Sequence, residues 1–245
     1  MSWRVLGASV AGARHQIGNT PCQDACCWRT FGTNNEWLVL AVADGAGDSA
    51  HAQLGSTLVC HELVRRIDTC LCDLLCVPAR LFSLFAQVHE ALLHQAEQNR
   101  IRPRDLACTA LLALVGPEFA ALAQLGDGAI VYGLGGNYEV AFWPEPDEYA
   151  NAADVLTDAT FQERLRVKLV PETIREIAIF TDGLQRLTLD FSARTAYPAF
   201  FRPLFAKLRT TTHPEDLITP FQLFLNSPRV NQRTDDDKTL IVAVY

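Results

Sequence analysis

Asp-Gly occurs three times in this chain, as Asp44-Gly45, Asp127-Gly128 and Asp182-Gly183, each time after an apolar run or between two of them. Asp24 in CQDAC and the run Asp235–Asp237 in TDDDKTLIVAVY stand at the edges of further runs. Strand ends are where a rigid scaffold presents functional groups, and carboxylates far apart in sequence can converge there on one rim. Carboxylate oxygens are hard ligands that suit Mg2+ or Mn2+, ions that keep several waters and act on phosphates. A glycine after each aspartate permits a tight turn and lets the backbone carbonyl approach an ion. Asp-Gly is also a common turn dipeptide. Residue type and spacing therefore leave two readings open, an acidic rim that binds hard cations and a set of ordinary turns.

The other reactive residue types carry less. Of six histidines, His51, His61, His89 and His94 fall on predicted helices and His213 precedes another, as surface or interhelical residues do. His15 lies in GARHQIG, upstream of Asp24 and next to Arg14. Eight cysteines, at 22, 26, 27, 60, 70, 72, 76 and 108, include no CxxC pair. A chain this long does not need disulfide staples, so reduced and mostly buried thiols are expected. A structural zinc at Cys22, Cys26 and Cys27 is the competing use.

The elements that must position these residues follow from hydrophobic pattern. Trp3–Ala11 reads as a strand followed by a polar turn at Gly18-Asn19, and Trp37–Ala43 is a strand-length apolar run that ends at Asp44. Ser49 can cap a helix to about Ile67, in which Cys60, Leu63, Val64 and Ile67 recur at helical spacing. A second helix opens at Pro78 and runs to about Asn99, with Leu81, Leu84, Phe85, Val88, Ala91 and Leu92 on one face. Cys108–Val115, Phe119–Leu125, Ala129–Gly133 and Tyr138–Phe142 are short strands joined by tight turns. Trp143–Glu172 is a polar excursion with weak periodicity, and long loops of this kind are often functional. Ile174–Phe180 returns as a strand, helical stretches follow at Pro198–Leu208 and Pro214–Asn226, and Leu240–Tyr245 closes the chain. Consecutive hairpins with helices before and after predict a single α+β domain over residues 1–245, with helices packed outside antiparallel sheets.

Composition bounds the function. The chain has 245 residues, 49% hydrophobic and 20% charged, which excludes a disordered chain. Its net charge of −7 argues against a nucleic-acid binder working through bulk charge and leaves room for a site that gathers cations. No apolar run approaches the ~20 residues that span a bilayer, and no signal peptide is legible, so a cytoplasmic protein without membrane partners is expected.

Six motifs in order, GARHQIGNTPCQDA, LAVADGAGD, CTALLALV, LAQLGDGAIVYG, IFTDGLQRL and DDKTLIVAV, stretch from Gly12 to Val244. Together they resemble the metal-dependent serine/threonine protein phosphatases of type 2C, in their bacterial form. The resemblance implies a four-layer αββα sandwich, two antiparallel sheets packed face to face with helices on both outer faces. It implies two Mn2+ or Mg2+ ions in a cleft at one end, sharing a water that attacks a phosphoserine or phosphothreonine of a protein substrate. By the same resemblance Asp44 bridges both ions, the Gly45 carbonyl joins one of them, and Asp182 and Asp236 hold the other. Asp24 supports the second ion, directly or through its waters, and Asp127 matches the position of a third, weaker one. A cationic group for the phosphoryl oxygens is expected about ten residues upstream of Asp24. There Arg14 and His15 are neighbours on an expected strand, and the Gly-x-x-His form of Gly12–His15 favours His15. The family segment at 143–172 is a flap beside the cleft, and the protein is expected to be a monomer.

Two positions depart from the family pattern. Gln23 stands where many relatives carry a carboxylate, and Ala46 replaces the histidine of the DGHG form that has been assigned as general acid. These departures define the alternative, a catalytically weak family member that serves as a regulatory binding module.

Overall fold

The computed structural model describes residues 2–47, 49–67, 77–144 and 154–245. The chain opens with β1 (Arg4–Val10), a short helix α1 (Ala13–Gly18), and a pair of strands, β2 (Ala25–Phe31) and β3 (Trp37–Ala43). Two helices follow, α2 (Ala52–Arg66) and α3 (Val77–Asn99), and then a meander of β4 (Ala110–Val115), β5 (Ala120–Leu125), β6 (Ala129–Leu134) and β7 (Asn137–Val140). After one turn of helix, α4 (Phe161–Arg164), come β8 (Arg166–Val170) and β9 (Glu176–Phe180). The last third holds α5 (Gln185–Thr188), a small hairpin of β10 (Leu189–Asp190) and β11 (Thr195–Ala196), helices α6 (Pro198–Thr210), α7 (Ile218–Leu225) and α8 (Pro228–Asn231), and the closing strand β12 (Lys238–Val244).

Two antiparallel five-stranded sheets result, one ordered β1-β12-β9-β6-β7 and the other β2-β3-β4-β5-β8. Their central strands are buried on both faces, which is why they read as unbroken apolar runs instead of alternating ones. In β3, Leu38, Leu40 and Val42 point between the sheets, where they meet Ile130, Ile177, Ile179 and Ile241. Val39, Ala41 and Ala43 point the other way, onto Val59 and Leu63 of α2 and Leu81, Phe85 and Val88 of α3. On the far side Phe201 and Phe205 of α6 and Phe221 and Leu225 of α7 cover Val131, Ala178, Phe180 and Val242. The four-layer αββα order expected from the resemblance is therefore present, and the first and last strands pair over Arg4↔Val244 to Val10↔Lys238.

Several local expectations are corrected. Residues 13–18 form a helix, so Arg14 and His15 do not alternate across a strand. Ser49 does not cap α2: the cap position is His51, and the Ser49 hydroxyl donates to the Arg104 carbonyl at 2.9 Å. The sequence puts a strand edge at Asp24 but does not delimit strand β2. It is an edge strand, half-buried along most of its length, and its sequence ACCWRTF lacks a clean two-residue alternation. Its Cys26 faces the other sheet and Cys27 faces the helices, so the Cys22, Cys26 and Cys27 thiols do not converge as a zinc site would require. Cys22, Cys26, Cys27, Cys60 and Cys108 are free thiols. Cys70, Cys72 and Cys76 lie outside the described residues. The excursion at 143–172 also shrinks. Strand β8 pairs with β5, Leu156 is fully buried, and its carbonyl meets His89 Nδ1 at 2.7 Å. Of the expected flap, residues 145–153 lie outside the described residues. Among the described residues no helix is long and apolar enough to cross a membrane.

Candidate active site

The sheet registers bring the five sequence-distant acids to one rim. Asp24 precedes β2 and Asp44 follows β3, and the pairing Ala25↔Ala43 places them side by side. Asp127 sits between β5 and β6, two residues before Ala129, which pairs with Phe180. Asp182 follows β9 two residues after Phe180, and Asp236 leads into β12, whose Leu240 also pairs with Phe180. Both sheets thus end at this edge of the sandwich with an acidic loop at each of five strand termini.

A layer of hydroxyls and amides fixes those loops. The Asp44 amide donates to Thr109 Oγ1 at 2.9 Å, and the Thr109 amide donates to the Asp44 carbonyl at 2.8 Å. Together with the bond from the Ala46 amide to the Ala107 carbonyl this makes a one-residue bridge between Gly45 and Cys108, built by the neighbours of Gly45 and leaving its own carbonyl outside the bridge. Gly45 has no left-handed φ. Glycine is needed there because a Cβ would lie 2.7 Å from Ala52 Cβ and 2.8 Å from the Gln23 carbonyl oxygen. The tight-turn role expected of the Asp-Gly pairs fails at the other two as well, since neither Gly128 nor Gly183 has a positive φ; the left-handed residue of the β5–β6 turn is Gly126. Gln124 Nε2 donates to the Gly126 and Gly128 carbonyls at 3.0 Å each, and Gln185 Nε2 donates to the Asp127 and Gly128 carbonyls at 3.3 and 3.2 Å. Two side-chain amides therefore hold the turn that carries Asp127. The Thr181 hydroxyl donates to Asp24 Oδ2 at 2.7 Å and accepts from the Thr239 amide at 3.0 Å. Sequence reasoning missed Thr109, Gln124, Thr181, Gln185 and Asp237. Buried polar residues inside apolar strands, such as Gln124, were the signal available.

Asp237 is the most heavily engaged of the acids. It is buried, and its Oδ1 accepts from the Gly12 amide at 2.6 Å and pairs with His15 Nδ1 at 2.8 Å. Its Oδ2 accepts from the Gln23 amide at 2.6 Å. Asp236, one residue earlier, is exposed toward the rim, with Oδ1 accepting the Asp237 amide at 2.9 Å. Arg14 is exposed.

Electrostatics mark the rim as a place for cations. Asp24 and Asp44 lie within hydrogen-bonding reach of each other, and so do Asp44 and Asp182. Burial, opposed by the Thr181 hydroxyl and reinforced by the Asp237 charge, pushes the Asp24 carboxyl up to about 7. Burial and the charges of Asp24 and Asp182 hold Asp44 well above the usual carboxylate range. Asp182 is raised too, by burial and by the Asp236 charge, against the relief of its bond to Asp44. The buried oxygens Asp24 Oδ1 and Asp182 Oδ1 have no hydrogen-bond partner among the described residues. Among the described residues no group of three His, Cys, Asp or Glu side chains is arranged as a metal-holding cluster. What they form is a contiguous line of crowded carboxylates with unsatisfied oxygens. Shared protons relieve the crowding when no cation is bound, and hard divalent ions suit the same oxygens.

The fold is thus an αββα sandwich with carboxylates gathered at one end of both sheets, oxygens of the kind that suit hard divalent cations. The family model described as "Protein phosphatase 2C" matches residues 11–221. A curated relative, "Serine/threonine-protein phosphatase 3" of Escherichia coli (strain K12), is 34% identical over 256 aligned positions, covering 100% of this chain and 99% of that one. Among solved structures, a bacterial serine phosphatase superposes with a TM-score of 0.68 at 17% identity, over 98% of this chain and 96% of its own. A serine/threonine phosphatase of Staphylococcus aureus gives 0.67 at 17% identity, over 100% and 96%. At such identities the structures speak for the fold. The family match and the curated relative go further: the chain belongs to the protein phosphatase 2C family and so to the serine/threonine protein phosphatases, which are hydrolases. Membership implies metal dependence and action on phosphoproteins.

Proposed function

We propose that this chain removes phosphate from phosphoserine and phosphothreonine with the help of two Mn2+ or Mg2+ ions held by the acidic rim, and that it acts as a cytoplasmic monomer. In this reading Asp44, the Gly45 carbonyl, Asp24, Asp182 and Asp236 would hold the two ions, and Asp127 would hold a third, weaker one. The observation that carries it is the line of buried Asp24 and half-buried Asp44 and Asp182, at the ends of strands from both sheets, with two oxygens that have no hydrogen-bond partner among the described residues. Bound divalent cations supply a lowered pKa for water and offset charge building up on phosphoryl oxygens. The rest falls to the protein. Thr109 and the Gly45–Cys108 bridge fix the Asp44 backbone, and Thr181 aims Asp24, so the carboxylates are ordered before substrate arrives. Catalysis of in-line displacement at phosphorus needs such positioning more than a protein nucleophile. His15 is assigned to the phosphoryl oxygens, since it is partly exposed at the rim beside Asp237, and the segment 143–172 to substrate choice.

The competing assignment, a regulatory binding module with weak activity, draws on Gln23 and Ala46. Gln23 supplies a neutral side chain whose Oε1 is buried without a partner among the described residues. Hydrolysis of p-nitrophenyl phosphate by the purified chain, with and without Mn2+, separates the two. Mn2+-dependent turnover supports the phosphatase, and tight Mn2+ binding without turnover supports the module.

A further inference from the structure

Asp237 is the acid that the metal assignment does not use, and it is better satisfied than those that it does. Three donors from two separate segments converge on it: the Gly12 amide and His15 Nδ1 from the end of β1 and the start of α1, and the Gln23 amide beside Asp24. The approach is close. A Cβ on Gly12 would run into the backbone of Asp235 and Asp236, and the Arg14 amide donates to the Asp235 carbonyl at 3.1 Å. Helix α1 is thereby tied at its first turn to the loop that precedes β12. Among the described residues the imidazole is held at one nitrogen only, and the His15 side chain keeps 19% of its surface exposed.

We propose that Asp237 is a positioning residue that acts through His15, fixing its ring and tautomer so that Nε2 is the nitrogen presented to the substrate phosphoryl group. Two backbone amides that can only donate require an accepting carboxylate at Asp237, and a carboxylate accepts from His15 as well. The proton of the His15–Asp237 bond therefore sits on Nδ1. The nitrogen left over is Nε2, and a second proton there makes the ring a charged donor to phosphoryl oxygen. Holding one ring nitrogen with a carboxylate to set the behaviour of the other is how outer-layer partners commonly tune a histidine. In the DDD run the family pattern favours Asp236 as the metal ligand, and the structure gives its neighbour Asp237 a separate task.

This inference rests on the assignment of His15 to the phosphoryl group, and the test separates failure of the one from failure of the other. Nitrogen NMR of the 15N-histidine-labelled, metal-free chain reads the tautomer without any activity, and a four-way kinetic cycle over wild type, His15→Ala, Asp237→Asn and the double variant reads the coupling. The expected result is a His15 ring protonated at Nδ1 in the wild type, with that signal altered in Asp237→Asn. For aryl phosphate, KM rises about tenfold in His15→Ala and severalfold in Asp237→Asn, with the double variant no worse than His15→Ala. Multiplying KM effects in the double variant, or a ring protonated only at Nε2, overturns the role of Asp237 while leaving His15 in place. An unchanged KM in His15→Ala with Nδ1 protonated overturns the phosphate assignment itself, and this inference with it.

Discussion

Asp24 places one carboxylate oxygen on the Thr181 hydroxyl and leaves the other buried with no partner among the described residues, beside Asp44 and within the field of Asp237. Its carboxyl is pushed up from 3.8 to about 7, so in the metal-free chain the folded state holds a proton there that the unfolded state has released between about pH 4 and 7. Asp44 and Asp182 are displaced in the same direction. Wherever the folded state binds more protons, stability falls as pH rises. Melting temperature in EDTA is therefore expected to drop between pH 5 and pH 8, and to drop less in Asp24→Asn; a flat or rising profile contradicts the crowding of these acids. For chemistry, Asp44→Asn is expected to cut phosphatase activity at least tenfold, about 1.4 kcal/mol in the barrier, with an unchanged circular dichroism spectrum. At this scale the five rim acids were legible because Asp-Gly repeats and ordered motifs single them out. Asp237 was not. The three aspartates at 235–237 are alike in type, and only the register that sets Lys238 opposite Val10 decides which one turns inward.

At the scale of elements, the central strands and the long helices could be read directly, since an apolar run buried on both faces has no competing interpretation at that length. The failures fall where a segment is short or its burial is partial. Strand β2 reads poorly because it is an edge with half-buried residues, and β8 hides in a polar stretch because its partner β5, not its own pattern, holds it in the sheet. Helix α1 has six residues, none of them fully buried, and its place is set by the Asp237 carboxylate and the Asp235 carbonyl. The loop from β3 to α2 gives the sharpest element-level test. Gly45→Ala would press a methyl group between Ala52 and the Gln23 carbonyl, and overpacking of this kind costs about 1–3 kcal/mol. Denaturant unfolding of the metal-free variant measures that loss, and Mn2+ affinity is expected to fall with it because Asp24 and Asp44 flank the contact.

The whole molecule is a rigid sandwich whose two sheets must both be in register for the rim to exist. Metal bound only by the folded state adds RT ln(1 + [L]/Kd), about 2.7 kcal/mol at a hundredfold excess over Kd, or about 5–10 °C in melting temperature at this size. EDTA is expected to lower the melting temperature and Mn2+ to restore it, whereas identical curves would contradict a preformed acidic site. Replacing residues 145–153 with a short Gly-Ser linker is expected to change turnover of phosphopeptides far more than of p-nitrophenyl phosphate; equal losses would assign that segment a structural role. The central claim, that the gathered carboxylates make this chain a metal-dependent protein phosphatase, is tested most directly by phosphate release from a phosphothreonine peptide as Mn2+ is titrated into the metal-stripped protein. Saturable, Mn2+-dependent release that falls below about a tenth in Asp44→Asn is the predicted result. Release that persists in EDTA, or that Asp44→Asn leaves intact, would contradict it.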